Sequence, residues 1–131
     1  MIRKLRTGEH GQALVEMALV LPLFLLLLFG VIEMGRIGYA YITVSNAARE
    51  GGRVATIGGT DSEINTSVQN AATSLDPANL VINITPNQAL RLSGQGVTIQ
   101  VSYPVQLVIP IISAVIPNPV VVSSSIVMRL E

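Results

Sequence analysis

GQALVEMALVLPLFLLLLFGVI, residues Gly11 to Ile32, decides the fold of this chain. One acid, Glu16, interrupts it, and the sixteen residues from Met17 to Ile32 carry no charge. As a helix, residues 13–32 would span ~30 Å, the thickness of a bilayer's hydrocarbon core. Leu, Ile, Val and Phe fill twelve of the fourteen places from Leu19 to Ile32. At typical insertion values these residues favour the membrane by about 4–7 kcal/mol. An acid at a helix centre would cost ~2.5–3.5 kcal/mol, and Glu16 sits nearer one edge. Insertion therefore wins with the acid in place. Residues 13–32 are predicted to cross a membrane, with lipid as the first partner.

Outward on the N-terminal side lies a basic leader, residues 1–11, MIRKLRTGEHG. Arg3, Lys4 and Arg6 outweigh Glu9, so this end is expected in the cytoplasm and the C-terminal module on the extracytoplasmic side. Arg36, beyond the span, weakens that bias without reversing it. A secretory signal would have a shorter apolar core and a small-x-small cleavage site; Glu33-Met34-Gly35-Arg36 follows here instead. Within the span, Pro22 cannot donate to the carbonyl of Ala18. Membrane helices tolerate this when neighbours satisfy the freed group. Pro22 is thus either a packing bend between subunits or a harmless kink.

On the C-terminal side the helical spacing continues. Ile37, Tyr41, Val44, Ala48, Gly51 and Ala55 recur at three and four residues, one face of a helix. Ala47, Gly51 and Ala55, and beside them Ala48, Gly52 and Thr56, stand four apart and let another helix or sheet approach closely. Gly51-Gly52 is a candidate bend, and Gly58-Gly59 the terminus. One long helix over 12–57 is expected, half in lipid and half in water. On it, Glu33 and Arg36 read as a helix-surface pair; Arg49, Glu50 and Arg53 read either as similar surface pairing or as a contact with another subunit.

Residues 58–79 read as a glycine hinge and a short amphipathic helix. Thr60-Asp61-Ser62-Glu63 has the form of a capping box. Ile64, Val68, Ala71 and Leu75 follow as one apolar stripe, closed by Asp76-Pro77. Then the period changes to two. Leu80-Val81-Ile82-Asn83-Ile84-Thr85 and Val97 to Ser102 alternate, and Val120 to Leu130 is β-rich. Three strands are predicted, with a candidate fourth at Ala89 to Ser93. Residues 80–131 thus form a β-rich module, and an antiparallel sheet laid on the helices gives an α+β fold. The uncharged segment 104–117, PVQLVIPIISAVIP, is too short for a second span. A buried connection is its default reading; a membrane-surface contact or a subunit interface are the others.

Composition excludes several functions. With eight basic and eight acidic side chains the net charge is zero, and bases do not cluster outside the leader, so no nucleic-acid partner is indicated. There is no cysteine, which removes disulfides, thiolate metal sites, a cysteine nucleophile and a lipid-modified terminus. The one histidine, His10, lies in the leader. No nucleophile–base pair, metal constellation or phosphate-binding glycine pattern can be assembled. Neither an enzyme nor a cofactor is expected.

Gly11, with Glu16 five residues after it, resembles the processing site of type IV pilins and pseudopilins. That resemblance implies a prepilin peptidase cutting between Gly11 and Gln12, leaving Glu16 as the fifth residue of the mature chain. A carboxylate there can pair with the new α-amino group of a neighbouring subunit, since either charge alone is costly in lipid or a packed fibre. An interfacial acid snorkelling towards headgroups is the plainer reading of Glu16. More specifically, GQALVEMALVLPLFLLLLFGVIEMGR followed by NAAREGGRVA resembles the TadE-like family of tight-adherence pilus systems, closely over Gly11 to Ala55 and more loosely beyond. Met17 stands where an aromatic residue is common, keeping the apolar bulk. The resemblance implies a structural pseudopilin or minor pilin, whose partners are a prepilin peptidase, other pilins or pseudopilins, pilus assembly proteins, and further copies in an oligomer or fibre. The β-rich tail favours a minor or assembly role over that of a major pilin. Processing falls on Gly11, Gln12 and Glu16, and subunit packing on Glu16, Pro22, Ala47, Ala48, Gly51 and Gly52. The alternative is an uncleaved single-pass anchor whose outer module serves another membrane complex.

Overall fold

The computed structural model describes residues 8–131, so Arg3, Lys4 and Arg6 of the leader lie outside the described residues. Helix α1, Gly8–Thr56, runs unbroken for 49 residues. Its halves have opposite surroundings. Every residue from Gly11 to Phe29 is exposed, although the apolar window here has a mean hydropathy of 2.6. Such a surface fits a single-pass membrane helix. Beyond Ile32 the same helix becomes one wall of a packed core.

The helix stops where its glycines allow. Gly58 takes φ +80°, and its N–H donates to the carbonyl of Ala55 at 3.0 Å while that of Gly59 reaches Val54, also at 3.0 Å. These paired closing bonds need a left-handed residue, which glycine supplies without steric cost. Gly51-Gly52, the candidate bend, lies instead inside continuous helix. Here the glycines serve close approach: a Cβ on Gly51 would sit 2.6 Å from Val68 Cγ2, and one on Gly52 3.0 Å from Met128 Cγ.

Helix α2, Asp61–Ala71, starts with the expected capping box. Thr60 Oγ1 accepts from Glu63 N–H at 3.2 Å, and Glu63 Oε2 accepts from Thr60 N–H at 2.8 Å. Bonds from the Thr60 backbone and then its hydroxyl hold the Glu63 carboxyl below the usual carboxylate range. The helix ends earlier than the stripe predicts. Ile64, Val68 and Ala72 are the buried row, whereas Ala71 and Leu75 only border the core. Thr73 and Ser74, poor helix formers, follow in the turn. Asp76 caps a separate 3-10 turn, Pro77–Asn79, through its side chain.

Strands β1 (Val81–Thr85), β2 (Gly96–Val105) and β3 (Val120–Arg129) form one antiparallel sheet in the order β1-β2-β3. The register places Ile84 beside Ile99 and Ile99 beside Ile126, with Val97 opposite Met128 and Ile82 opposite Val101. Period two then puts these residues on one face and Gln100, Ser102 and Ser123 on the other, where they bond one another in solvent. The inner face meets α1 and α2 over a core of Val44, Ala47, Ala48, Ile64, Val68 and Ile99, all fully buried. The architecture is α+β, two layers over one core.

Two expectations are corrected. Ala89 to Ser93 is not a strand: Gln88–Leu90 is a 3-10 turn, and Arg91 after it ties the module together. Its guanidinium donates to the carbonyls of Gly59 at 3.0 Å and Pro86 at 3.2 Å and pairs with Asp61. Tyr41, expected on the core face, is 51% exposed, and Ala40 takes the inner place at 3%. The sheet comes so close to α1 that alanine and glycine fit along the seam and a tyrosine ring does not.

Candidate functional site

Three places on α1 bear on function. The first is the processing register. Gly11, Gln12 and Glu16 occupy continuous, exposed helix, and Gln12 Nε2 donates to Glu16 Oε1 at 3.2 Å, one turn away. A Cβ added at Gly11 would meet nothing within 4 Å. Glycine at such a position costs a helix about 1 kcal/mol relative to alanine, and no packing among the described residues requires it. Pro22 lies on the same exposed surface, with the helix assigned through it.

The second place is the small-residue face. Ala47, Ala48, Gly51 and Gly52, expected to pack subunits together, are all buried within the chain itself. Ile64 and Val68 of α2 and Ile99 of β2 close over Gly51, while Ile126 and Met128 of β3 close over Gly52. This corrects the subunit-packing reading for these four residues, because the contact surface they offer is already occupied. Of the packing residues named from the sequence, Glu16 and Pro22 remain exposed.

The third place was misread from the sequence. Glu33 is not on the helix surface but 3% exposed. Its Oε2 accepts from Arg36 Nη1 at 2.7 Å, and its Oε1 accepts the N–H of Val108 at 2.8 Å. Arg36 Nη2 also donates to the carbonyl of Gln106 at 3.2 Å. The pair thus clamps the chain leaving β2 onto α1, at the point where the apolar run ends. An acid immediately after an uncharged stretch, three residues before an arginine, was the available signal. What it could not reveal was the backbone N–H that arrives from 75 positions away.

A family model described as TadE-like protein matches residues 11–53. Over that segment the chain is similar to TadE-like proteins. No curated protein and no solved structure matches the chain. The matched segment contains Gly11, Gln12 and Glu16, the apolar run, the Glu33–Arg36 clamp and the small-residue face, and it ends inside α1. Helix α2 and the sheet that cover that face lie outside it. The family points to a component related to the tight-adherence pilus, carried on a membrane helix.

Glu33→Ala should detach the clamp. It strands the part-buried Val108 N–H and frees Arg36, a loss at the lower end of the about 1–3 kcal/mol that a fully buried unpaired donor costs. In detergent the module's melting temperature should fall by roughly 5–15 °C, and limited proteolysis should newly cut near Gln106. Glu33→Gln keeps an acceptor and should lose less. An unchanged melting temperature and digest in Glu33→Ala would show that the clamp holds nothing.

Proposed function

We propose that this chain is a pseudopilin-like structural component of a tight-adherence, type IV-related pilus assembly or secretion apparatus, matured by a prepilin peptidase after Gly11. The observation that carries the reading is Gly11 itself, a residue open on every side, five positions before the lone acid of the apolar stretch. Among the described residues packing gives no reason for glycine there, as it gives none at Gly30, Gly35 or Gly38; what supports processing at Gly11 is its place after the basic leader and five residues before Glu16. Hydrolysis of the Gly11–Gln12 bond releases the leader and creates an α-amino group on Gln12. Glu16, exposed at the edge of the apolar run, is then available to that amine on a neighbouring subunit. The basic leader stays cytoplasmic and the α+β module stands on the extracytoplasmic side. With the small-residue face filled by its own module, the chain contacts its neighbours through the apolar half of α1. This suits a minor or assembly subunit, whose module caps or guides a structure built on helices.

Co-expression with the host's prepilin peptidase, followed by mass determination of the N-terminus, tests this directly. The mature chain should begin at Gln12, and Gly11→Val should retain Met1 while leaving module stability unchanged, since the added side chain meets open space. An intact Met1 in the unmodified protein would make the chain an uncleaved single-pass anchor.

A further inference from the structure

The segment after β2 does something the family match does not cover. Residues 104–117 carry no charge, yet the connection is not buried as the sequence led one to expect. Val108, Ile111 and Val115 are 70%, 63% and 84% exposed. The loop is nevertheless tightly built. Leu107 N–H donates to Asn118 Oδ1 at 3.0 Å, closing its base, and Val108 is held by Glu33. A short helix, α3 (Pro110–Ser113), forms its tip. The backbone there is paired internally: Ser113 N–H reaches the carbonyl of Ile109, Ala114 that of Pro110, and Ile116 that of Ile112, at 3.0–3.1 Å. These bonds within the turn lower the cost of placing it in hydrocarbon, and the exposed aliphatic side chains favour such a setting over water.

The position of the loop says what covers it. Its side chains and the flank of α1 enclose an apolar groove of about 540 Å³. The helix side of that groove includes Leu26, Leu27, Gly30 and Val31, all within the membrane-crossing stretch, and the loop side includes Ile111 and Val115. Leu26 lies six residues inside Ile32, so the groove reaches about 9 Å along the helix into the span. A surface continuous with the lipid-facing wall of a membrane helix, at the same depth, meets the same solvent. Arg36, with its side chain 42% exposed, marks the headgroup level beside the clamp.

We propose that residues 107–117 are a second membrane contact, an apolar foot embedded in the leaflet on the module's side, with acyl chains filling the groove against α1. The foot and the helix together hold the module flat on the bilayer and fix how far α1 can rise or rotate. A subunit leaving the membrane for a fibre must find another apolar cover for this surface. The proposal depends on the span being in lipid and not on cleavage after Gly11.

The chain has no tryptophan, so Val115→Trp introduces a single reporter at an exposed position. Reconstituted with phosphatidylcholine–phosphatidylglycerol vesicles bearing bromine on the acyl chains, its fluorescence should be blue-shifted. It should also be quenched several-fold more than that of Ser125→Trp on the outer face of the sheet. Flotation with the vesicles reports insertion of the span separately, and Ile111→Trp carries the test if Val115→Trp does not fold. Vesicle-bound protein with red-shifted, unquenched emission would overturn the foot while leaving the span intact. Blue-shifted emission that bromine does not quench would overturn it too, showing that a second copy of the chain covers the groove.

Discussion

Gly51→Leu is expected to prevent the module from folding while leaving the chain in the membrane. Gly51 faces α2 and β2 at the tightest point of the core, where even a Cβ would lie 2.6 Å from Val68 Cγ2 and 3.4 Å from Ile64 Cγ2. Both neighbours are fully buried, so neither can swing into solvent. Overpacking by a few methylenes costs about 1–3 kcal/mol, and a whole leucine side chain with no space to enter exceeds that range. A module of this size has only about 5–10 kcal/mol of net stability. Gly51→Ala sets two effects against each other: about 1 kcal/mol gained in helix propensity against the Val68 contact. The short distance says the contact wins, by a smaller margin than with leucine. Gly35, on the same helix but with nothing within 4 Å of an added Cβ, is the control, and Gly35→Ala should be neutral or slightly stabilising. The measurement is thermal unfolding in detergent with membrane fractionation alongside. A Gly51→Leu protein that melts like the parent would show that the helix–sheet approach is looser than described.

On the proposed function, Glu16→Leu should abolish assembly with pilus partners while sparing insertion and folding. The carboxylate is exposed at the edge of the apolar run, so removing it should lower the cost of insertion by up to about 3 kcal/mol. Its bond within the chain is to Gln12, an exposed pair four residues apart, and such pairs contribute only ~0.2–0.5 kcal/mol. The module begins beyond Ile32 and does not touch it. The loss appears only between subunits, where the mature amino group of one chain would be left unpaired in an apolar setting. Glu16→Gln keeps the shape, removes the charge and should fail to a similar degree. Crosslinking to pilus partners and counts of surface pili, with cleavage followed separately, distinguish the possibilities. Normal crosslinking and piliation in both variants would reduce Glu16 to an interfacial acid.

Much of the fold was legible because it rests on local rules. The length and hydropathy of residues 13–32, the capping box at Thr60 and Glu63, the glycine stop at Gly58, the alternation in the first two strands and the β-rich run of the third each express a short-range preference. Nothing distant overrides them. The errors lie where a distant group competes. Gly51-Gly52 looks like a helix weakness until Val68 and Met128 occupy the space that the missing side chains leave. Ala89 to Ser93 has apolar residues at strand spacing, yet Arg91 is drawn to Gly59, Pro86 and Asp61.

The sequence by itself picked out residues 13–32 as long and apolar enough to cross a membrane, because hydrophobic transfer is additive along a segment and needs no partner to be read. The spacing from Gly11 to Glu16, on which the proposed cleavage rests, is likewise a property of the chain alone. Only the tertiary structure decided which surfaces are left for other molecules. It buried Ala47, Ala48, Gly51 and Gly52 inside the chain, turned Glu33 from a surface acid into a clamp, and left Ile111 and Val115 uncovered beside the span. Such outcomes depend on which elements meet in space. A hydrogen bond between Glu33 and Val108 joins residues 75 positions apart, and no local periodicity encodes it.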